Sequence, residues 1–297
     1  MRGPHNIIRL IRTGATLERT GAMGVLLDAF EAGPLLRIVI RTIVWPFQWL
    51  GYKGDLTMPP APRALTALGP AYIKFGQVLS TRPDVVGDEL ALQMRVLQDK
   101  LPPFSMKESR AEILRELGQP VETLFSSFSD PVAAASLAQV HKAHLADTGE
   151  AVAVKILRPG IERAFRRDID AFYFAARTIE LLSPSSRRLR PMDVITHFEG
   201  VVMGELDLRL ESSAASEFRA NTQDDTGFDV PRIRWHLSAR RVMTLDWVEG
   251  TNIGDNAALD AAGHDRRVLA ARVLQLFLNH ALRDGCLLYT SDAADDP

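Results

Sequence analysis

The stretch GEAVAVKILRP, residues 149–159, has the alternating pattern of a half-buried β-strand and decides the class of fold. Alternation puts Val152, Val154 and Ile156 on one face, and Ala151, Ala153, Lys155 and Leu157 on the other. Residues 125–145 also have a strand pattern, and a turn at Asp147–Gly149 follows them. The sequence therefore predicts two or three antiparallel strands over residues 125–157, embedded in a largely helical chain.

A lysine on a half-buried strand needs an anion, so Lys155 indicates a ligand. On the same face, Ala151 and Ala153 are small and leave room for a flat molecule. The hairpin before the strand ends in AAAS, residues 133–136, where the backbone could approach that molecule closely. A strand lysine behind a small-residue hairpin is typical of the V-A-x-K arrangement that binds nucleotide phosphates. The alternative is a lysine on an edge strand whose ammonium extends into water.

Such a lysine also needs a carboxylate to hold it, and GELDLRLESSAASEF offers Glu205, Asp207 and Glu211. Asp207 and Glu211 are four residues apart on one helical face, where like charges cost about 0.2–0.5 kcal/mol. Because the segment contains no lysine, we expect the compensating cations to come from elsewhere. The candidates are Lys155, Lys74 and Mg²⁺, and the alternative is an ordinary solvated acidic face.

The stretch LGPAYIKFGQVLSTRP, residues 68–83, predicts an amphipathic helix with an unusual polar group. Lys74 and Gln77 lie one turn apart beside Gly76, among apolar residues. Taken alone, this pattern also fits a solvated helix face that tolerates a glycine.

The bulk composition excludes several classes of protein. With 297 residues, 46% of them hydrophobic, the chain can bury a large core in one two-lobed domain or in two domains. A net charge of −2 argues against a strongly basic nucleic-acid-binding protein. The single cysteine, Cys286, excludes an internal disulfide and a four-cysteine metal site, which fits a reducing compartment. Residues 1–14 lack the features of a secretory signal.

The N-terminal residues 1–53 are basic, with seven Lys/Arg and three Asp/Glu. Within them, LLRIVIRTIVWPFQWL (residues 35–50) is too short and too charged to cross a bilayer comfortably. Arg37 and Arg41 share one helical face, while Trp45 and Trp49 fit the level of lipid headgroups, as does Tyr52 just beyond the stretch. We expect an interfacial membrane helix, and the alternative is a helix packed on the protein's own surface.

The remaining patterns alternate between helices and short connections. The sequence predicts a proline-rich linker at 56–64, helices at 87–104, 105–120, 160–182, 191–220 and 265–285, and a strand within 240–250. We find no internal repeat and no low-complexity segment.

Together these motifs resemble the UbiB family of atypical protein-kinase-like proteins, which support ubiquinone biosynthesis. KFGQ (Lys74, Gln77) fits the family's K-x-G-Q signature, and AAAS fits its alanine-rich loop. VAVK supplies the phosphate-binding Lys155, and ELD fits E-x-D with Glu205 and Asp207. The four signatures occur in the family's order over residues 68–250.

The resemblance implies an atypical protein-kinase-like α+β fold with an antiparallel N-lobe sheet, a helical N-terminal extension and an incomplete C-lobe. Lys155 would pair with Glu211, and the K-x-G-Q helices would cover the nucleotide cleft, with Lys74 pointing into it and Gln77 facing the E-x-D carboxylates. Gly76 would permit close approach to the lobe beneath. A covered cleft admits a folded protein substrate poorly, so we expect an ATPase or small-molecule kinase using ATP and Mg²⁺. The implied catalytic residues are Lys155, Glu211, Lys74, Gln77, Glu205 and Asp207.

The same resemblance implies the nucleotide contacts. TLDWVEG has the register of a kinase hinge, with Leu245 as gatekeeper and with the backbones of Asp246 and Val248 bonded to adenine. Trp247 is as compatible with packing as with ligand contact. The implied nucleotide-binding residues are Ala133, Ala134, Ala135, Ser136, Ala153, Lys155, Leu245, Asp246 and Val248.

After HALRDG the resemblance ends. The family continues with a catalytic loop of the H-x-D-x-x-x-x-N type, whereas this sequence reads CLLYTSDAADDP and has no asparagine after Asn279. We interpret residues 286–297 as a non-native tail and the rest as truncated before that loop, with the Mg²⁺ ligands in the missing part and no metal ligands of its own. We expect weak nucleotide binding and no turnover, and an apolar last helix that promotes aggregation.

The sequence divides into basic N-terminal helices (1–55), a helical extension (56–120), a kinase-like N-lobe up to the hinge (121–250), the start of a C-lobe (251–285) and the tail. The expected partners are ATP, the membrane surface, polyprenylphenol or quinone precursors and other ubiquinone-biosynthesis proteins, without nucleic acid. The expected location is the cytoplasmic side of a bacterial inner membrane, as a peripheral protein. Two competing classes are a non-catalytic lipid-binding or scaffold protein switched by nucleotide, and a conventional protein kinase.

Overall fold

The computed structural model describes residues 5–29, 33–98, 102–182 and 190–284, so the predicted tail at 286–297 lies outside the described residues. Within this part the chain has the predicted α+β fold. The α-helices are α1 (His5–Thr20), α2 (Ala22–Ala29), α3 (Pro34–Val44), α4 (Pro60–Leu68), α5 (Pro70–Ser80), α6 (Pro83–Val86), α7 (Asp88–Met94), α8 (Met106–Leu117), α9 (Val121–Leu124), α10 (Ile161–Leu182), α11 (Pro191–Glu205), α12 (Leu208–Asn221), α13 (Asn256–Ala261) and α14 (Arg266–Asp284). Short 3-10 helices span Trp45–Leu50, Arg95–Gln98 and Trp235–Leu237.

A four-stranded sheet follows the helical N-terminal part. Its strands are β1 (Phe125–Ala134), β2 (Ala138–Leu145), β3 (Ala151–Leu157) and β4 (Val242–Asp246), in the spatial order β1-β2-β3-β4. Short connections make β1 to β3 antiparallel neighbours. Along β3 the predicted alternation is confirmed, because Val152, Val154 and Ile156 are fully buried whereas Lys155 is half-buried. The sheet thus places Lys155 on the less buried face.

The chain forms two compact units, each assembled from three segments. The first unit comprises Met1–Glu112, Asp130–His141 and Lys155–Leu206. The second unit comprises Ile113–Ser129, Lys142–Val154 and Asp207–Pro297. The predicted domain boundaries, which cut the chain into successive segments, stay a prediction.

Helix α5 is central to the core of the first unit. One side carries Tyr72 and Phe75, whose rings lie 4.7 and 5.3 Å from the ring of Phe172 on α10. Phe75 also meets Phe198 of α11 edge to face at 5.2 Å. The opposite side enters an aliphatic cluster that includes Ile73, Met94 and Leu97. The helix that carries K-x-G-Q is therefore held on two sides.

The helix boundaries differ from the sequence prediction in two places. The predicted linker at 56–64 is helical from Pro60, because proline fits the first turn of a helix, where no N–H partner is needed. Gly69, with φ of 116°, then ends α4 and begins α5. The helix predicted over 191–220 is also two helices, because Leu206 leaves the helical conformation (φ −87°, ψ 9°) and Asp207 is extended (φ −125°, ψ 93°).

In the second unit, an ion-pair group joins α14 to the turn after α12. Asp225 accepts hydrogen bonds from Arg283 at 2.8 Å and pairs with His280 Nε2 at 3.0 Å. The ring of His280 packs against Phe218 and Phe228, with centroid distances of 5.0 and 4.8 Å. The Arg283 guanidinium, helped by His280, holds the pKa of Asp225 below its usual value. This group fixes the C-terminal end of α14.

Candidate functional site

Lys74 of the K-x-G-Q helix forms an ion pair with the first carboxylate of the E-x-D segment. Its Nζ lies 2.6 Å from Oε1 of Glu205, and the two side chains are 19% and 37% exposed. Glu205 is the last residue of α11, where the negative end of the helix dipole disfavours a carboxylate. The ammonium of Lys74 offsets that charge and links α5 to the end of α11.

Gln77 and Gly76 contact the helical extension. Gln77 Nε2 donates to the backbone carbonyl of Leu97 at 2.8 Å, so its described hydrogen bond is with this carbonyl rather than with an E-x-D carboxylate. A Cβ built on Gly76 would lie 2.5 Å from Cδ1 of Leu97 and 2.6 Å from Cδ1 of Leu65. The absence of a Cβ at Gly76 therefore does allow neighbouring segments to pack closely against α5. These segments are α4, α7 and the 3-10 helix that follows α7.

Lys155 and the alanine-rich loop both lie in the first unit. Ala133 and Ala134 end β1, and Ala135 and Ser136 form the connection to β2, closed by the Ala135 N–H donating to the Ala138 carbonyl at 2.8 Å. The side chain of Lys155 is on the half-buried face of β3, as is that of Ala153. The loop and the strand lysine have the predicted local structure, and nucleotide binding by them stays a prediction.

The two other carboxylates are placed differently from the prediction. Asp207 is the N-cap of α12 and accepts from the Arg209 N–H at 3.1 Å, so it does not share a helical face with Glu211. The Arg209 guanidinium binds the same carboxylate at 2.9 and 2.6 Å, and this hydrogen bonding lowers the pKa of Asp207. The prediction that a cation from elsewhere in the chain compensates Asp207 is thus wrong, because Arg209, two residues away, supplies the positive charge. Glu211 is exposed in the first turn of α12 in the second unit.

The predicted hinge follows β4 in the second unit. Leu245 and Asp246 end the strand, and Trp247 N–H donates to the Ala151 carbonyl at 3.0 Å. In the described part of the chain, the backbone N–H and carbonyl of Val248 have no hydrogen-bond partner. Such open backbone groups are what adenine recognition at a hinge requires.

Trp247 itself takes part in a surface contact with charged residues. Its indole N–H donates to Glu249 at 2.6 Å, and the Lys142 ammonium lies 4.5 Å from its ring centroid. Lys142 also pairs with Glu249 at 2.8 Å, which lowers the pKa of Glu249. This contact holds the segment after β4, and the choice between packing and ligand contact for Trp247 stays a prediction.

Two arrangements around the alanine-rich loop were missed by the sequence analysis. Arg158, directly after β3, donates through its side chain to the Pro102 carbonyl at 3.0 Å and to the Ala135 carbonyl at 3.5 Å. Its backbone N–H donates to the Leu137 carbonyl at 2.7 Å, and its guanidinium lies 5.4 Å from the ring centroid of Phe104. Arg158 therefore ties the loop to the segment before α8.

The second arrangement is a buried polar group on β2. Gln139 accepts from the Phe104 N–H at 2.9 Å and donates to Ser109 Oγ at 2.8 Å, while His141 Nε2 lies 3.2 Å from the same hydroxyl. All three polar side chains are fully buried. A sequence signal existed, because Gln139 and His141 alternate with Val140 on a strand whose inward face is otherwise apolar.

The α+β fold, with its four-stranded sheet and many helices, is that of a kinase-like class of protein. The model of the ABC1 atypical kinase-like domain family matches residues 96–292, and the chain belongs to this family. Curated proteins named "Probable protein kinase UbiB" are among its relatives, which agrees with the resemblance that the sequence motifs indicated.

The similarity to these relatives covers most of this chain but about half or less of theirs. The Marinobacter nauticus protein is 40% identical over 222 residues, which are 74% of this chain and 40% of that protein. The Azotobacter vinelandii protein is 37% identical over 282 residues, covering 93% of this chain and 51% of that protein. A solved structure of Rv3197 from Mycobacterium tuberculosis, in complex with erythromycin, is 33% identical with a TM-score of 0.44, covering 61% of this chain and 45% of that chain. The chain spans about half the length of the curated relatives it matches.

Proposed function

We propose that this chain is the nucleotide-binding part of a UbiB-like atypical kinase or ATPase that supports ubiquinone biosynthesis. The observation that carries the proposal is the ion pair of Lys74 with Glu205, which joins the K-x-G-Q helix to the E-x-D segment. Lys155 and the alanine-rich loop, in the same unit, are the groups that would bind ATP phosphates. Family membership supports this assignment.

For the nucleotide, each group has a chemical role that fits its place. The Lys155 ammonium would neutralise phosphate oxygens, and Ala151 and Ala153 would give the adenine and ribose space on the half-buried face. Ala133 to Ser136 would cover the phosphates through backbone N–H groups, with Leu245 and the Asp246 and Val248 backbones at the adenine. Glu211 would orient Lys155. Lys74, Gln77, Glu205 and Asp207 would complete the covered side of the cleft.

Among the described residues, no group of three His, Cys, Asp or Glu side chains can hold a metal ion, whereas Mg²⁺ in kinase sites is held by one or two carboxylates together with substrate phosphates. Phosphoryl transfer needs such an ion to neutralise charge when it is bound. We propose nucleotide binding for this chain, and ATP hydrolysis for a UbiB protein of its relatives' length.

The proposed partners follow from the pathway of the relatives' name. A polyprenylphenol or quinone precursor is mostly hydrocarbon and partitions into a bilayer, so its enzyme works at the membrane surface. We propose peripheral association with the cytoplasmic side of a bacterial inner membrane, together with other ubiquinone-biosynthesis proteins. Nucleic acid is not a proposed partner.

The test is nucleotide binding by this chain, measured by the fluorescence of a labelled ATP analogue. Lys155→Ala is expected to weaken binding about 10- to 100-fold, because a charge-assisted phosphate contact contributes about 1.5–3 kcal/mol. Lys107→Ala removes an exposed lysine of α8 that has no part in the proposed site, and it is expected to leave affinity unchanged. Equal affinity of wild type and Lys155→Ala would refute the assignment.

A second measurement separates the competing classes. ATP turnover is measured in a full-length UbiB protein, with and without the substitution equivalent to Lys155→Ala. Turnover that stops in the variant supports an enzyme, whereas binding without any turnover supports a nucleotide-switched scaffold. Efficient phosphorylation of added peptides would favour the protein-kinase reading in the relatives' name.

A further inference from the structure

Helix α3 pairs its two arginines with carboxylates of neighbouring helices. Arg37 forms an ion pair with Asp28 and donates to the Leu27 carbonyl at 3.0 Å. Arg41 lies 3.7 Å from Glu18. Both guanidiniums are thus tied to the protein, although the Arg41 side chain is still 58% exposed.

The outward side of α3 is apolar and continues into the 3-10 helix Trp45–Leu50. We call this surface the α3 face; its exposed residues are Leu35, Ile38, Val39, Ile43, Trp45, Phe47, Trp49 and Tyr52. Trp45 is 71% exposed and Trp49 is 74% exposed. Two tryptophans left in water beside four exposed aliphatic residues indicate a surface that is covered when the protein works.

The surroundings of the α3 face favour a lipid bilayer as the covering partner. Tryptophan and tyrosine prefer the level of lipid headgroups, because they are apolar with one polar tip. Next to the 3-10 helix Trp45–Leu50, the side chains of Arg12, Arg19 and Lys53 are exposed. In the described ranges, none of the three has a carboxylate within ion-pair distance. Arg12 lies 5.8 Å from the ring centroid of Tyr52. Cations beside exposed aromatic rings complement anionic headgroups.

The length of the face decides how it would meet the bilayer. Helix α3 has 11 residues, about 16 Å at the usual rise, which is half the hydrocarbon thickness. Among the described residues, no helix is long and apolar enough to cross a membrane. The α3 face can therefore enter the interface only by lying parallel to it.

We propose that the α3 face inserts in-plane into the surface of an anionic membrane, with Trp45 and Trp49 at the boundary between headgroups and acyl chains and Arg12, Arg19 and Lys53 at the phosphates. This extends the peripheral location proposed above to a particular surface. Membrane insertion of the α3 face does not require bound nucleotide. A negative result for vesicle binding would therefore leave the proposed nucleotide binding intact, and the reverse also holds.

The first experiment uses the chain's four tryptophans as reporters. One variant, Trp235→Phe with Trp247→Phe, keeps only Trp45 and Trp49, and the converse variant keeps only Trp235 and Trp247. Both are mixed with phosphatidylcholine vesicles, with or without phosphatidylglycerol. With anionic vesicles, the fluorescence of Trp45 and Trp49 is expected to shift to the blue and to be quenched by brominated acyl chains. The Trp235 and Trp247 pair is expected not to respond.

The second experiment measures co-sedimentation with the same vesicles. Trp45→Gln with Trp49→Gln is expected to lower the partition coefficient at least ~10-fold, because two large apolar side chains no longer enter the interface. The matched control, Leu274→Gln with Phe277→Gln, changes two exposed apolar residues of α14 and is expected to bind like wild type. Arg12→Gln with Lys53→Gln is expected to weaken binding to anionic vesicles alone.

Four outcomes would overturn the inference. They are absence of vesicle binding by the wild type, an unchanged partition coefficient for the tryptophan variant, and a response by Trp235 and Trp247 instead. The fourth is a dimer without lipid that the tryptophan variant dissociates, since a second copy of the chain would then cover the face. The Trp→Phe reporters keep the test valid if the glutamine variant fails to fold.

Discussion

At the residue scale, the Lys74–Glu205 pair shows how a helix end can create the need for a cation. Glu205 lies at the negative end of α11, where an unpaired carboxylate is unfavourable. Lys74 places an opposite charge 2.6 Å away. Both side chains are partly exposed, so water screens the attraction and the pair contributes at most about 1 kcal/mol. The pair therefore matters more for holding α5 beside the end of α11 than for the free energy of unfolding.

Lys74→Met is expected to lower the free energy of unfolding by about 0.5–1 kcal/mol, because it leaves Glu205 alone at the helix end. Adding Glu205→Gln to that variant should restore part of the loss, since the repelled charge is gone. Urea denaturation of the two single variants and the double variant gives the coupling energy. The comparison pair is Arg82 and Asp84, which are 59% and 60% exposed and should show almost no coupling. Equal coupling in both pairs would contradict a role for the helix end.

Gly76→Ala is expected to destabilise the chain by about 1–2 kcal/mol. A methyl group there would displace Leu97 and Leu65 within a packed cluster, and such overpacking costs about 1–3 kcal/mol. The better helix propensity of alanine returns at most about 1 kcal/mol. Gly200→Ala in α11 is the control, because nothing lies within 4 Å of its added Cβ and only the propensity gain remains. Urea denaturation should show changes of opposite sign in the free energy of unfolding for the two variants. If Gly76→Ala is stabilising, Leu97 and Leu65 can move to make room for the methyl group and the prediction is wrong.

At the element scale, periodicity predicted where helices and strands lie but not where two helices break. Asp207 interrupts the pattern that predicted one helix over 191–220, and Gly69 separates α5 from a helix that begins where a linker was predicted. The break at Asp207 changes which residues share a face, because Asp207 and Glu211 no longer lie on one helix face. Helix periodicity is a local signal, whereas a cap such as the one Asp207 forms with Arg209 replaces a helical hydrogen bond with a side-chain one.

Asp225 attaches α14 to the turn after α12, and this attachment should depend on pH. Hydrogen bonds from Arg283 and His280 lower the pKa of Asp225 in the folded chain from 3.8. A depressed carboxylate pKa stabilises the fold above the unfolded-state value, and that stabilisation is lost as pH falls through the folded-state value. The relevant window is therefore acidic, below about pH 4.

Asp225→Asn is expected to lower the melting temperature at neutral pH, and the difference from wild type should shrink as pH falls from about 4 toward 2. At low pH the Asp225 carboxylate of the wild type is protonated, so it loses the same negative charge that Asp225→Asn lacks at every pH. Thermal melts followed by circular dichroism at stepped pH measure this. Asp224→Asn, at the exposed neighbouring position, should match wild type throughout. A difference that stays constant with pH would show that charge at Asp225 is not the cause.

At the scale of the whole molecule, the sequence predicted the α+β class, the strand lysine and the family. It also named Lys74 and Glu205, but not their direct pairing, because they are 131 positions apart and only the packing of α5 on α11 brings them together. The partners of the α3 arginines were missed for the same reason, since Asp28 and Glu18 belong to other helices. Contacts set by tertiary packing leave little local signal. The nucleotide-contacting residues stay predictions.

Among the described residues, α3 and α14 each expose an apolar surface, and these two surfaces differ in chemistry. The α3 face contains tryptophan and tyrosine next to cations, which suits lipid. Helix α14 exposes aliphatic residues and one phenylalanine, namely Val268, Val273, Leu274, Phe277, Leu278 and Leu282. This confirms that the last helix presents apolar surface, as the sequence predicted. Such a surface, without interfacial aromatic residues, suits packing against protein.

Helix α14 is therefore expected to drive self-association of these 297 residues in the absence of lipid. Leu274→Gln, Phe277→Gln and Leu282→Gln together should raise the dissociation constant at least ~10-fold, because each change removes apolar area from the contact. Sedimentation equilibrium over a concentration series measures this. Ile38→Gln with Ile43→Gln in α3 is the matched control and should associate like wild type. If the α3 variant dissociates instead, the assignment of the two surfaces is reversed, because protein would then cover α3 and leave α14 without a role in association.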